Sequence, residues 1–457
     1  IKGNTQAVVG AKSDAGKAAS HINADAAYGG ALQDVVIEAS DTTRVDNYLG
    51  GLGIGLGGAG VGAAVDVVMV NNGASAEVRS GTVSADRDIT VQADTERMLD
   101  SFTIAAAGGS TVGISGAVSV LTAGSRPDGD ADSEVGTSVG EVARYVSANA
   151  FGNQMDSDAG GTSASRDAAN TARAKANVDN DMNAPAAAAS ARAYVASGTT
   201  LDAGRDVTIH ANNGTDADAI AVGVAVSGGF SLGGGVALAF VDDKTEAEAS
   251  GVIKAGRNVT IQAGDGPVSD TQGLVLDVGD IHINQRTAAS KLIAFAGGGG
   301  VVGLGASVTI QDKTSKATAK VGNSADITAY GTAAAEPGGA TGLITVDAGI
   351  QHDLESTAFG AAVGLGGIGA AIAYSTLDGE ADAQVGNGAH LTGKALDVHG
   401  HSKTDSDVSA TAAAGGLFSG AGADADAEDK SSAKARIGDN AVIRTGAGLA
   451  QVRADVD

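Results

Sequence analysis

A short pattern of two apolar residues alternating with polar ones and closed by a small residue returns along this chain at a nearly fixed interval. It reads VVIEA from Val35, ITVQA from Ile89, VTIHA from Val207, VTIQA from Val259, ITVDA from Ile344, LDVHG from Leu396 and AQVRA from Ala450. Successive starts lie 54, 118, 52, 85, 52 and 54 residues apart, so four of the six intervals agree on a period near 53. A period of this length defines a unit that buries its apolar face against its neighbours, so stability accrues along an axis.

A second pattern has its own phase. Glycine followed by alternating apolar residues occurs at Gly62, Gly116, Gly235, Gly305 and Gly369. Gly62 to Ile89 and Gly369 to Leu396 are each 27 residues, and Gly235 to Val259 is 24, which divides each period into halves. Several VTIQA-type segments follow a turn signal of fixed appearance: SADRD, DAGRD and KAGRN. Period-two alternation with short punctuation is a strand signature. The expected fold is all-β, a parallel β-helix (β-solenoid) of about 53-residue repeats with two coils per repeat. At about a dozen coils this gives a rod of ~60 Å. A long antiparallel hairpin in the glycine-rich half is the competing layout.

Composition fits stacked thin layers. Aromatics are 3% of the chain and tryptophan is absent, so valine, isoleucine, leucine and alanine must fill the interior. Seventy glycines allow close backbone approach, and only four prolines leave nearly every amide free to join a ladder. A net charge of −25 argues against nucleic acid or anionic lipid as partners. There is no cysteine, hence no disulfide framework or thiolate metal site. The opening IKGNTQAVVG lacks both an initiator methionine and a signal peptide, and reads as a processed chain or an interior piece.

The two long intervals mark insertions. Repeats occupy 1–125 and 190–457, separated by an Ala/Asp-rich segment at 126–189 with short helical character ended by Pro185. A second insertion near 264–286 reads as an extra hairpin. The stretch GLGGIG (Gly364, Gly366, Gly369) matches a dinucleotide fingerprint, but GLGIGLGG from Gly51 matches as well, and alternating β-branched sequence follows instead of a helix. Its glycines are read as structural. The uncharged run Leu292 to Ile310 is long enough to span a bilayer, yet its glycines and flanking strand patterns place it in the repeat.

Calcium is the cofactor the sequence suggests. Asp128, Asp130, Asp132 and Glu134 place carboxylates at alternate positions, as calcium loops do, without the glycine and distal glutamate of an EF-hand. Asp179 with Asp181 is a poorer candidate, and Asp424, Asp426 and Glu428 read as one solvated strand face. A solvated acidic loop is the simpler account of the first cluster. His399 and His401 in HGH share a strand face, but no third zinc ligand is evident beside them. No nucleophile elbow or Ser/His/Asp arrangement stands out.

The repeat unit, G-x-G-A-A-V/I, an alternating strand and then A-G-R-D/N-V-T-I-x-A, resembles the repetitive regions of very large bacterial filamentous adhesins. These are the filamentous-haemagglutinin-like and leukotoxin-family surface proteins with β-helical stalks. The resemblance covers the chain apart from the insertions. It implies secretion by a Gram-negative-type bacterium, a place outside the cell or on its surface, and attachment to host or neighbouring cells or to a polysaccharide matrix. The expected function is a non-enzymatic adhesin stalk. The alternatives are a self-assembling subunit of an extracellular filament or sheath and, third, a polysaccharide-cleaving β-helix enzyme.

Overall fold

Alternation puts Val207, Ile209 and Ala211 on one side of the chain and Thr208, His210 and Asn212 on the other. The strand they begin continues well past the pattern, as Val207–Ser227. The computed structural model describes residues 1–10, 20–23, 33–124, 190–266, 275–278, 281–284, 290–331, 342–446 and 448–457. After Ser227 a tight Gly228-Gly229 turn sends the chain back along Phe230–Ala249, and the short strand Val252–Ala255 closes the circuit. The next circuit begins at Val259, whose ladder partner is Val207.

Each coil therefore has two long strands and one short one, stacked into two long sheets and a short sheet. Every ladder between coils is parallel, and the described residues contain no helix. The protein is a parallel β-solenoid. Its coil is a whole period, which corrects the expectation of two coils per repeat: Val35 pairs with Ile89, and Ile344 with Leu396. The two half-period patterns are the two long strands of one coil, facing each other across the interior. The competing hairpin layout fails as well, because those strands lie in different sheets. The one antiparallel pair among the described residues joins Val275–Val278 to Ile281–Asn284, inside the second insertion.

Halving the coil count also shortens the rod. The first long sheet passes through seven levels, from Val35–Gly55 to Ala450–Val456. Six steps of ~4.8 Å make about 29 Å. A strand of 21 residues such as Ile89–Gly109 is roughly 65 Å long, so this part of the solenoid is a blade, wider than it is tall.

Across the blade the interior changes character. At the thick end three sheets enclose a triangular aliphatic core, where Val207, Ile209 and Ala211 meet Ala247, Ala249 and Ile253. The same positions recur on each level, as in Ile344, Val346 and Ala348 with Ala381, Ala383 and Leu391. A polar belt follows, then an alanine-rich layer containing Ala219, Ala221, Ala237 and Ala239. At the thin edge the two long sheets touch backbone to backbone. A Cβ on Gly360 would lie 1.9 Å from the Ala370 carbonyl oxygen, and one on Gly53 would lie 1.8 Å from that of Val61.

The turn signal of the sequence is a ladder of its own. Arg205 Nε donates to Asp88 of the coil before at 2.9 Å, and Arg257 Nε to Asp206 at 2.8 Å. The same carboxylates accept the following backbone amides, Asp206 N to Asp88 Oδ1 at 3.1 Å and Asn258 N to Asp206 Oδ1 at 3.1 Å. Each GRD corner is thus tied to the corner beneath it.

Both insertions leave from the middle of a long strand. Val112–Gly124 and Ala191–Val195 lie on one level, since both pair with Phe230–Ala249. Val259–Asp265 and Ser290–Gly299 likewise share a level, both pairing with Leu343–Val363. The helical character expected of the first insertion falls outside the described residues.

Candidate functional site

On the outer face of the first long sheet, strand register brings His399 opposite Asp347 of the previous coil. Alternation puts His401 on the same face, two residues along the same strand. The imidazoles stack with centroids 4.8 Å apart and planes 24° from parallel. Asp347 Oδ1 lies 3.4 Å from His399 Nδ1 and 3.3 Å from His401 Nδ1. On the far side, His399 Nε2 donates to Asp455 Oδ2 of the next coil at 2.9 Å. The second Asp347 oxygen accepts from Gln262 Nε2 of the coil before at 3.1 Å. Room for the His401 ring exists because residue 349 is glycine, where a Cβ would come within 2.4 Å of it. The Asp347 carboxylate beside it lifts the His401 pKa above the ordinary histidine range, against the effect of burial. One atom each from Asp347, His399 and His401 falls within 4.8 Å of the others, a geometry able to hold a metal ion. Sequence reading found both histidines and missed Asp347, although His399 minus one 52-residue period lands on it.

A second cluster sits on the same face nearer the middle of the blade. Asp46, Asp100 and Asp218 stand in register on three successive levels. Burial first, then Asp46 and the charge of Asp216, push the Asp100 pKa up to about 7. Burial raises Asp216 to about 6 against the pull of Lys313, and burial with the Asp216 and Asp100 charges raises Asp218 well above the carboxylate range. Among the described residues, Asp216 Oδ1 and Asp218 Oδ2 have no hydrogen-bond partner. Raised folded-state values have a definite sign. Below the unfolded value near 4 both states are protonated; from there upward the unfolded chain ionises while the buried groups keep their protons, so stability falls until the folded values of about 6 for Asp216 and about 7 for Asp100 are passed. Buried His352, whose pKa is lowered by burial and by Lys313, works the other way, because the unfolded chain gains its proton below about 6.5. The difference between wild type and Asp218→Asn removes the His352 contribution. Urea denaturation at pH 5, 6.5 and 8 is expected to show the variant gaining on wild type as pH rises. A constant difference would mean that Asp218 does not titrate in this range.

The third feature is apolar. Where the two long sheets turn at the thin edge, large hydrophobic side chains face solvent. Phe230, Val302, Gly366 and Phe418 form one register column, and Val301, Leu365 and Leu417 precede the last three. Leu56 in the first turn is 92% exposed and Leu417 79%. The ridge runs along the stacking direction from Phe230 to Phe418 with Gly366 in its column, set apart from Leu56 by the turn Gly109-Ser110-Thr111, on a protein of net charge −25.

The calcium candidates Asp128, Asp130, Asp132 and Glu134, and the pair Asp179 and Asp181, lie outside the described residues. Asp424, Asp426 and Glu428 fall on the exposed strand Phe418–Asp429, where Asp424 accepts a 2.7 Å hydrogen bond from the Tyr374 hydroxyl. Among the described residues no helix is long and apolar enough to cross a membrane. Comparison with protein-family models, curated proteins and solved structures found no match.

Proposed function

We propose that this protein is a non-enzymatic, extracellular attachment protein of a bacterial surface, a rigid solenoid that meets cells, surfaces or matrix along its thin edge. The observation that carries this reading is the apolar ridge. Soluble proteins rarely line up large exposed apolar side chains on successive levels of one edge, and a large apolar patch rimmed by polar residues marks an interaction site. Continuous parallel ladders supply stiffness, because every backbone amide in the long strands can be tied to the coils on either side. The acidic charge keeps neighbouring rods apart and discourages non-specific binding to nucleic acid. The likeness of the A-G-R-D-V-T-I-x-A repeats to those of filamentous adhesins supports the same reading, with secretion and surface display as its corollaries.

The ridge also favours a second reading, a self-assembling subunit whose edges bury one another. One set of substitutions separates the two. With Leu56, Val301, Leu365 and Leu417 each changed to Ser, adsorption to hydrophobic beads and to cell or polysaccharide-coated surfaces is expected to fall at least several-fold. Sedimentation of the unaltered protein should show a monomer at micromolar concentration. Adsorption unchanged by the four substitutions would overturn the attachment role of the ridge. Reversible assembly that the substitutions abolish would establish the filament reading instead.

A further inference from the structure

We propose that Asp347, His399 and His401 form a site for a zinc-class divalent metal ion that staples successive coils of the solenoid. The hydrogen bonding around the cluster fixes the direction of its lone pairs. Asp455 is a carboxylate and can only accept, so His399 must donate to it through Nε2–H. In neutral His399 that leaves the Nδ1 lone pair directed at Asp347 Oδ1, an acceptor facing an acceptor at 3.4 Å. His401 Nδ1 is buried, has no hydrogen-bond partner among the described residues and faces the same oxygen at 3.3 Å. An N–H···O hydrogen bond has its mode near 2.9 Å. Two ligand atoms bound to one tetrahedral zinc at ~2.0–2.1 Å are instead about 3.3 Å apart. Both nitrogens thus stand from the shared Asp347 oxygen at the separation a common ion requires, and all three donors lie within 4.8 Å of one another.

The surroundings match what metal ligands need beyond the first contacts. Asp455 holds His399 by its far nitrogen, the arrangement that sets tautomer and ring orientation in carboxylate–histidine–metal sites. Gln262 holds the second Asp347 oxygen at 3.1 Å, which leaves Oδ1 to the ion. Gly349 clears the volume His401 occupies. Two imidazole nitrogens and one carboxylate oxygen suit zinc, copper or nickel better than calcium, which takes six to eight oxygens. The ligands themselves bridge two coils, Asp347 on one and both histidines on the next, while Gln262 and Asp455 extend the connection one coil further each way. An ion here would tie rungs together across the stacking direction. Its remaining positions open to solvent, where water or a donor from a partner would bind.

The test uses the full chain, free of any histidine tag and dialysed against chelator. Cobalt(II) serves as the spectroscopic probe and zinc as the calorimetric one. The expected results are a saturable one-to-one heat with zinc, intense visible d–d absorption with cobalt, and a higher melting temperature with zinc present. Asp347→Asn and the double variant His399→Gln/His401→Gln should lose the saturable heat, and Asp455→Asn should weaken binding about 10–100-fold. His390→Gln, altering a histidine on the short sheet, should bind as wild type does. Only the weak absorption of hydrated cobalt with the unaltered protein would overturn the proposal, and that measurement depends on no variant folding. Binding that persists in the double variant would overturn it equally.

Discussion

Replacing Arg97 by Met should cost this protein about 3–5 kcal/mol, the range for breaking a buried charge pair by removing one partner. Arg97 is fully buried in the polar belt between the two long sheets. Its Nη1 donates to Asp243 Oδ1 at 2.8 Å, to Asn213 Oδ1 at 3.0 Å and to Thr215 Oγ1 at 3.2 Å, and its Nε to Asn72 Oδ1 at 2.7 Å. Methionine fills much of the volume but supplies none of the donors, so among the described residues Asp243 would keep only Lys313, 4.0 Å away, as a nearby cation. Asp265 in the same belt would add like-charge repulsion, since His352 first, then Lys313 and Ser315, hold it ionised against burial, with a pKa of about 2. Urea denaturation followed by circular dichroism measures the loss. The double variant Arg97→Met/Asp243→Leu should recover a large part of it, because two apolar groups leave no charge stranded. If the double variant is no better than the single one, the belt is valued for geometry and not for its charge pairing.

The second large effect belongs to the thin edge. Gly360→Val should destabilise by at least the ~1–3 kcal/mol typical of overpacking. The new Cβ would fall 1.9 Å from the Ala370 carbonyl oxygen, and backbone on a facing sheet cannot move aside as a side chain can. Gly108→Val is the matched control. A Cβ there meets nothing within 4 Å, and a β-branched residue suits a half-buried strand position with open space beside it. Thermal melts of the two variants should therefore separate, Gly360→Val falling well below wild type and Gly108→Val staying at or above it. Equal losses would mean that the edge tolerates separation of its sheets.

How far the sequence could be read follows from these residues. Strand identity was legible in Val259-Thr-Ile-Gln-Ala because one alternating face is apolar and the other is not. The period was legible because the GRD corner must stack on the corner beneath. Pairing was not legible, since alternation says which face a residue takes but not which strand lies beside it. The glycines read as sites of close backbone approach do line it, where the two long sheets meet at Gly360 and Ala370 and at Gly369 and Ala413, but which backbones would meet was not legible. Arg97 was hidden for a related reason. It has the inward phase of Ile89, Val91 and Ala93, yet a charged residue in that phase reads as a break in the pattern. Asp347 lay within the repeats themselves, at the position in ITVDA that histidine fills in LDVHG, and needed the coil length to be seen as a neighbour of His399.

The mid-strand departures of the two insertions have a consequence for how such a protein can change. Height in this molecule is counted in rungs, and a rung is closed by hydrogen bonds whatever length of chain intervenes between its two parts. The residues between Gly124 and Ala191, and those between Asp265 and Ser290, advance the stack by nothing. Chain length and spatial phase are thereby uncoupled. A lineage could lengthen, exchange or delete what is carried at those two points while every corner, core layer and edge contact above and below stayed in step. The polar belt is where the blade can be opened without losing count.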